Sequence, residues 1–426
     1  MKVAVIGSGG REHAIIRKLS ESPLCSEIIA VPGNAGISNI AQCFAFAPTD
    51  VQGIVELCKT QKIDYVVVTP DDPLAVGMVD ALEAAGIEAF GPNKAAARIE
   101  SSKVFAKNLM SKYNIPTASY EAFNSAKQAM EYLERYEDYP VVIKADGLAL
   151  GKGVLICDDL QQAQHAVQTI MVDGKFGASG NSVVIEQFLT GPEVSVLALT
   201  DGNVIVPMAS SMDHKRALDG DKGLNTGGMG AIAPNPFYTP EVAATCMQKI
   251  FLPTLEAMRV EGCPFKGCLY FGLMLTQNGP YVIEYNCRFG DPEAQVAVPL
   301  MQGDLLSAMI ACTRGTLEAS MLGIQAGAAA CVVLASGGYP EKYVTGREIF
   351  GIKEAQSIPD VAVYHAGTKY TDGKLVTAGG RVLGVTAYSL SLEGALDNAY
   401  RACSEIHFED MQYRRDIGRS ALSVQN

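Results

Sequence analysis

The sequence has no tryptophan, only five histidines, and no C-x-x-C pair among its eleven cysteines. That spacing excludes a zinc ribbon, since even the closest two, Cys263 and Cys268, do not form a knuckle. The thiols read instead as scattered core residues of a reducing compartment. Positive charge is scarce, with 34 Lys and Arg against 46 Asp and Glu, a formal balance of −12. Holding nucleic acid by neutralising phosphates needs the reverse. No apolar run approaches the roughly 18 residues of a membrane span, and Met1-Lys2 leads straight into Val3-Ala4-Val5-Ile6 without room for a signal peptide. We therefore expect a soluble, cytoplasmic protein with neither nucleic acid nor membrane as partner.

Repeats and low-complexity tracts are also missing, and collagen, coiled coil and solenoid are excluded with them. What is present is 426 residues, 48% of them hydrophobic, enough for about three domains at roughly 150 residues each. Glycine is in surplus, at 42 residues. In the first hundred positions short β-branched runs (Val3 to Ile6, Ile28 to Val31, Tyr65 to Val68) alternate with helical patterns (Glu12 to Ser20, Val51 to Thr60). This order builds a parallel sheet and predicts a Rossmann-like N-terminal domain. One helix is predicted over Lys94 to Tyr113. Farther on come a glycine hairpin between Val141 to Lys144 and Gly153 to Cys157, two adjacent strands at Leu269 to Thr276 and Tyr281 to Asn286, and a mixed C-terminal region with strands at Ala328 to Ala335, Val361 to His365 and Arg381 to Ala387 and one helix, Leu392 to Ile406.

Gly7-Ser8-Gly9-Gly10 follows the first strand and opens a helix, a place suited to an anion. A dinucleotide fingerprint would need glycine where Glu12 stands and an acid where the second strand runs into Pro32-Gly33-Asn34, so that reading fails. Two adjacent glycine turns that cradle one small phosphorylated ligand remain, beside the bland alternative of tight turns. Gly147 to Gly153 fails as a Walker loop because its glycine spacing is one short, Gly153 replaces Ser/Thr and a strand follows. It still suits a flap closing over a triphosphate, with Lys144 and Lys152 as cations. Glu284 and Asn286 are two apart on a strand and so share a face, which points to one hard cation shared with nucleotide phosphates. Arg288-Phe289-Gly290-Asp291-Pro292-Glu293 follows at once, as a salt-bridged turn or a clamp for a substrate carboxylate. Asp213 to Arg216 and Asn225 to Gly230 form a polar loop of functional length. No G-x-S-x-G elbow or Cys–His dyad supports covalent acyl-enzyme chemistry. His165 and His407 read as structural residues in helical patterns.

Taken together, the motifs resemble the phosphoribosylamine–glycine ligase (glycinamide ribonucleotide synthetase) family of ATP-grasp enzymes over essentially the whole chain. The most specific element is Arg288-Phe289-Gly290-Asp291-Pro292-Glu293-Ala294-Gln295, joined by Gly7 to His13, Pro32 to Gly36, Ile143 to Gly147, His365 to Lys369 and Gly379 to Leu383. Pro70-Asp71-Asp72 departs from the family, which usually has Glu at the position of Asp71. The resemblance implies an α/β and α+β multidomain chain: a Rossmann-like domain at 1–102, an ATP-grasp domain at 103–325 with a flap subdomain near 121–190, and a small mixed α/β domain at 326–426. It implies ATP and Mg²⁺ or Mn²⁺ as cofactors, glycine and 5-phosphoribosylamine as substrates, and a monomer or weak homodimer. Lys103, Lys144, Gly151 and Lys152 would hold the ATP phosphates, Glu186 and the backbone near Leu189 the adenine, and Glu193 the ribose. Glu284 and Asn286 would carry the metal, Gly9, Gly10, Gly33, Asn34, Asp71, Asp213, Lys215 and Arg288 would contact substrate, and Asp213 and Arg288 would act in catalysis. The rivals are an ATP-grasp carboxylase or transformylase, a nicotinamide-dependent oxidoreductase, and a non-catalytic binding module.

Overall fold

The computed structural model describes residues 1–149 and 153–424. Apolar, β-branched segments near the N-terminus form a parallel sheet buried on both faces. Its strands are β1 (Lys2–Gly7), β2 (Glu27–Pro32), β3 (Gln42–Cys43), β4 (Tyr65–Val68) and β5 (Glu88–Phe90), in the order β3-β2-β1-β4-β5. Helices α1 (Gly10–Ser20), α2 (Val51–Thr60), α3 (Asp71–Val76) and α4 (Met78–Ala84) make the connections. The chain reverses direction across the sheet between β1 and β4, where open α/β sheets place ligands. The glycine turn after β1 and Asp71 after β4 flank that point.

The helix expected over Lys94 to Tyr113 is two helices, α5 (Lys94–Ser101) and α6 (Lys103–Lys112). Ser102 breaks them: it takes an extended conformation and its hydroxyl accepts from the Phe105 N–H at 3.1 Å, capping α6. Asp146 seals the break, accepting from the Val104 N–H at 2.8 Å and from the Ser102 hydroxyl at 3.0 Å. A carboxylate at a helix N-terminus is stabilised there, and Lys103 becomes the first residue of α6.

A four-stranded antiparallel sheet follows, in the order β6-β9-β7-β8, from β6 (Tyr120–Phe123), β7 (Val141–Ala145), β8 (Val154–Cys157) and β9 (Val183–Gln187), backed by α7 (Ala126–Leu133) and α8 (Leu160–Val167). The hairpin of β7 and β8 carries the glycine turn. A second antiparallel sheet, β11-β10-β16-β17, is built from β10 (Glu193–Thr200), β11 (Ile205–Pro207), β16 (Gly267–Thr276) and β17 (Gly279–Asn286). It shares cores with the N-terminal sheet: Ile6 and Val68 pack in one cluster with Leu269 and Phe271, and Val3 and Val5 in another with Leu197 and Leu199.

The last sheet runs β12-β15-β20-β24-β21, with β25 on β20. Two of its strands, β12 (Met212–Asp213) and β15 (Gly230–Ala233), come from the middle of the chain, and between them lies the hairpin of β13 (Arg216–Leu218) and β14 (Lys222–Asn225). After helices α9 (Pro240–Cys246), α10 (Leu252–Val260), α11 (Ala294–Ala297) and α12 (Leu305–Arg314), and the pair β18 (Met301–Gln302) and β19 (Gly323–Ile324), come β20 (Ala328–Ser336), β21 (Val361–His365), the hairpin β22 (Thr368–Thr371) and β23 (Lys374–Thr377), β24 (Arg381–Ser389) and β25 (Met411–Gln412). This sheet therefore crosses position 326. The C-terminal region has α13 (Ile352–Gln356) and α15 (Arg419–Leu422) besides α14 (Leu392–Glu405). His407 lies beyond the end of α14, bridged to Phe350, and not in a helix.

Buried histidines tie the units together. His13 Nδ1 accepts from the His365 N–H at 2.8 Å, and His214 Nε2 accepts from the Gly418 N–H at 3.1 Å. Each acceptor needs a neutral ring. Burial pushes His13 down to about 3 and His214 and His365 to about 4. Below pH 6.5 the unfolded chain binds protons that these folded rings refuse, so stability is present above that pH and is lost on acidification, by about 1.4 kcal/mol per pH unit for each ring. Urea melts between pH 6.5 and 4.5 should show a steeper loss for the wild type than for His13→Asn, which keeps an acceptor but cannot titrate. Parallel curves would contradict the assignment.

Candidate active site

At the end of β7 the chain sets Lys144, which ion-pairs with Glu186 of β9 and donates to the Ile283 carbonyl at 3.0 Å. That carbonyl is available because the pairing of β16 with β17 shifts between Gly272 and Leu273, leaving Ile283 without a partner. Lys103 donates to the Gly147 carbonyl at 3.0 Å, holding the base of the flap. Burial pushes the Lys103 ammonium down, while Glu284 pulls it back up. Glu186, expected to meet an adenine amino group, is engaged by two lysines, Lys144 and Lys107. Burial alone would raise its carboxyl, but the pair of ammonium groups holds it below the usual carboxylate range. Leu189 is half-buried in the loop between β9 and β10, which ends at Glu193. Gly151 and Lys152 lie outside the described residues.

Glu284 and Asn286 sit on β17 after the bulge and keep their common face. Glu284 is 33% exposed, open to a ligand, and Lys215 Nζ stands 3.9 Å away. Burial would raise its carboxyl, but Lys215, Lys144, Lys103 and Arg288 together depress it. A divalent cation fits this donor set: one ionised carboxylate and one amide oxygen, with the remaining positions left for water and phosphate. Among the described residues no cluster of three His, Cys, Asp or Glu offers a fuller cage. Gly272, across the ladder, makes the room, since a Cβ there would lie 2.9 Å from Glu284 Cγ.

Arg288 differs from the expected open fork. Its Nη2 meets Glu100 Oε1 at 3.0 Å and Asn286 Oδ1 at 3.1 Å, and its Nη1 donates to the Phe289 carbonyl at 3.2 Å. Only the buried Nε lacks a partner. Both Nη2 hydrogens are thus engaged, which closes the Nε–Nη2 fork to a bidentate carboxylate, and Nε–H and one Nη1–H remain. Asp71 lies close enough to Glu100 and Arg288 to act on the charge of both.

Lys215 bonds Glu193 at 2.9 Å. Burial would lower its ammonium, but Glu193 and Glu284 hold it well above its ordinary value. Asp213, two residues earlier, keeps a buried Oδ1 without a hydrogen bond. Burial and the charge of Glu293 push its carboxyl well up. Glycine at 228 is required here: φ is +109°, and a Cβ would lie 2.4 Å from Pro292 and 2.8 Å from Asp213 Oδ1.

The first N-terminal glycine turn packs against the Arg288 to Gln295 segment. A Cβ at Gly9 would stand 3.0 Å from Asp291 Oδ2, and one at Gly10 2.6 Å from Gln295 Nε2. Two residues expected to contact substrate are engaged within the protein. The Gly9 N–H, expected to face a phosphate, donates to Glu12 Oε2 at 2.5 Å. Asn34 is fully committed: its amide nitrogen donates to the Ser8 and His365 carbonyls, and its oxygen accepts from Gly36 and Ile37. It staples the two turns to β21 and has no side-chain donor left for a substrate. Gly33, at φ +73°, donates its N–H to the Gly7 carbonyl.

The polar loop is fixed from far along the chain. Arg381 of β24 donates to the carbonyls of Gly227 and Asp291 and pairs with Asp291. Arg414, 2% exposed, forks onto both oxygens of Asp416 at 2.8 Å and reaches Asp221 at 2.8 Å and the Arg216 carbonyl at 3.2 Å. Asp416 also accepts from the Gly220 N–H, and Asp219 from the Arg415 N–H. The first strand and the turn of the β13–β14 hairpin are so clasped by residues 414–416, close in sequence to Asp213 and Lys215.

Family models of phosphoribosylglycinamide synthetase match residues 1–100 (N domain), 101–294 (ATP-grasp, A domain) and 329–420 (C domain). Phosphoribosylamine–glycine ligase of Caldanaerobacter subterraneus is 45% identical over 417 residues, 98% of this chain and 99% of that one. The chain belongs to the phosphoribosylamine–glycine ligase family. A Neisseria meningitidis ligase is 46% identical over 99% of this chain and 100% of its own. The crystal structure of the Thermotoga maritima ligase superposes with a TM-score of 0.85 at 35% identity, covering 98% of this chain and 100% of that one. The biotin carboxylase domain of a Hydrogenobacter thermophilus 2-oxoglutarate carboxylase, solved with MgADP and bicarbonate, shares the ATP-grasp fold at 16% identity, with a TM-score of 0.74, over 100% of this chain and 94% of that one. The oxidoreductase and non-catalytic readings fall with this membership.

Within this family frame, sequence reasoning missed Lys107, Glu100 and Arg414. Lys107 follows Lys103 by four residues on α6, a spacing that shares a helix face and was available to read. Glu100 carried no local signal, because its arginine partner is 188 residues away, and Arg414 showed only its near neighbour Asp416, with the hairpin it clasps 193 or more residues distant. Gly272→Ala should press on Glu284 and raise the Mg²⁺ concentration needed for half-maximal activity at least about tenfold, the scale of disturbing a residue that supports a metal ligand, with little change in melting temperature. An unchanged metal titration would rule out the packing argument.

Proposed function

We propose that this chain joins glycine to 5-phosphoribosylamine at the expense of ATP, giving glycinamide ribonucleotide, ADP and phosphate in de novo purine synthesis. It is an ATP-dependent carbon–nitrogen ligase. The observation that carries the reading, beside family membership, is the ionised, solvent-reachable Glu284 among Lys103, Lys144 and Lys215. A carboxylate is a poor acyl donor, so its oxygen first takes the γ-phosphoryl group of ATP and ADP leaves. The amine nitrogen then attacks the carbonyl carbon of glycyl phosphate, phosphate departs, and the nitrogen gives up a proton. Such transfer needs positioning and neutralised charge more than a protein nucleophile.

In this reading Lys103 and Lys144 face the triphosphate, and Glu284 and Asn286 hold Mg²⁺ or Mn²⁺, which when bound neutralises phosphate oxygens. Lys215 steadies Glu284 and Glu193, the latter set for the ribose. Arg288 Nε gives one hydrogen bond to the glycine carboxylate. Asp213, with its free oxygen and raised carboxyl, stands among the groups able to meet an amino group. The flap hairpin keeps water from the acyl phosphate. The division at 1–102, 103–325 and 326–426 is our reading of the units, with the last sheet borrowing strands from the second. The cytoplasm suits eleven unpaired cysteines.

ADP release should require glycine and phosphoribosylamine together, and release with either one alone at the full rate would sink the proposal. Glu284→Ala should lower kcat at least about a hundredfold, the scale of losing one electrostatic stabiliser, with its unfolding curve retained. Near-normal turnover at saturating Mg²⁺ would reject the metal assignment.

A further inference from the structure

Lys107 is buried and outside every role assigned above. Its side chain is 4% exposed, and Nζ lies 2.5 Å from Glu186 Oε2. The same nitrogen donates to Thr117 Oγ1 at 2.8 Å and stands 5.6 Å from the centre of the Tyr120 ring. Thr117 in turn donates to the Val282 carbonyl at 2.8 Å, which anchors the arrangement to β17. Lys144 holds the other oxygen of Glu186. Two ammonium groups therefore share one carboxylate that is 5% exposed. The charged groups facing Lys107 are Glu186, which attracts, and Lys144, which repels; with burial the leading influence, the ammonium is lowered to about 8.

An ionised carboxylate only accepts, which suits an amino group and opposes a carbonyl, whereas its protonated form also carries a donor that suits a carbonyl. Out of water, a carboxylate stays ionised only beside a cation. In the proposed reaction Lys144 serves the ATP phosphates, so its charge is divided once nucleotide binds. Lys107, tied to Thr117, stays with Glu186. We propose that Lys107 is a specificity-determining residue: it keeps Glu186 an ionised acceptor with nucleotide bound, so that the site takes a 6-aminopurine triphosphate and rejects a 6-oxopurine one. This rests on the reading of Glu186 as the contact to adenine. Guanine presents an acceptor at the same place, which an ionised Glu186 repels and a protonated one would bind.

The test is steady-state kinetics of the whole enzyme with ATP and with GTP at pH 6.5 and 8.5, on Lys107→Met, Lys107→Arg, Glu186→Gln and the double variant Lys107→Met/Glu186→Gln. In Lys107→Met the ATP to GTP ratio of kcat/KM should fall about tenfold at pH 6.5, the scale of one net hydrogen bond. Most of the loss should sit in the KM for ATP, and it should shrink at pH 8.5 as Glu186 ionises again. Lys107→Arg should keep the preference. Glu186→Gln should lose it, and adding Lys107→Met to that background should cost little more, because a neutral amide needs no counter-ion. A folded Lys107→Met with the wild-type ratio, alongside a Glu186→Gln that loses it, would overturn the role of Lys107 alone. A Glu186→Gln that keeps the ratio would overturn the adenine reading beneath it. Should Lys107→Met not fold, the double variant decides, since a further loss of discrimination relative to Glu186→Gln defeats the proposal.

Discussion

Taking an ion out of water costs several kcal/mol unless an opposite charge and hydrogen bonds replace its hydration, and the geometry of this protein follows from how that demand is met. Glu186 is answered by lysines from α6 and β7, Arg288 by Glu100 from α5, Asp291 by Arg381 from β24, and Arg414 by the β13–β14 hairpin and Asp416. Each pair except Arg414 with Asp416 joins elements from different parts of the chain. Breaking one partner would strand the other, so the pairs fix the mutual placement of the sheets more firmly than their net contribution to stability suggests.

The same pairs reconcile an acidic chain with phosphorylated substrates. A net balance of −12 describes the whole surface, while the region around Glu284 gathers Lys103, Lys144, Lys215 and Arg288. A small group of partly desolvated cations sets the local field far more than distant surface carboxylates, which solvent and salt screen.

Much of this was legible in the sequence. The strands at Val3 to Ile6 and Tyr65 to Val68, the β16–β17 pair and the shared face of Glu284 and Asn286 all follow from period and turn chemistry, because those signals are local. The break at Ser102 was not read, since the helical pattern continues across it and the deciding partner, Asp146, is 44 residues away. The resemblance assigns Asn34 to substrate, and the partners that engage its side chain are invisible in one dimension. Its four hydrogen bonds reach from Ser8 to His365. Arg288 was expected to offer its fork for a like reason, as Glu100 on a distant helix already occupies it. Motifs identify which residues carry chemistry; partners brought by topology decide which of their atoms remain available.

The clasp by Arg414 has a consequence for how the molecule comes into being. A ribosome delivers Asp213, Lys215 and the hairpin beside them about two hundred residues before the arginine that secures them, and β15 before the strand it pairs with. The nascent chain therefore carries these groups well before the residue that clasps them has been made.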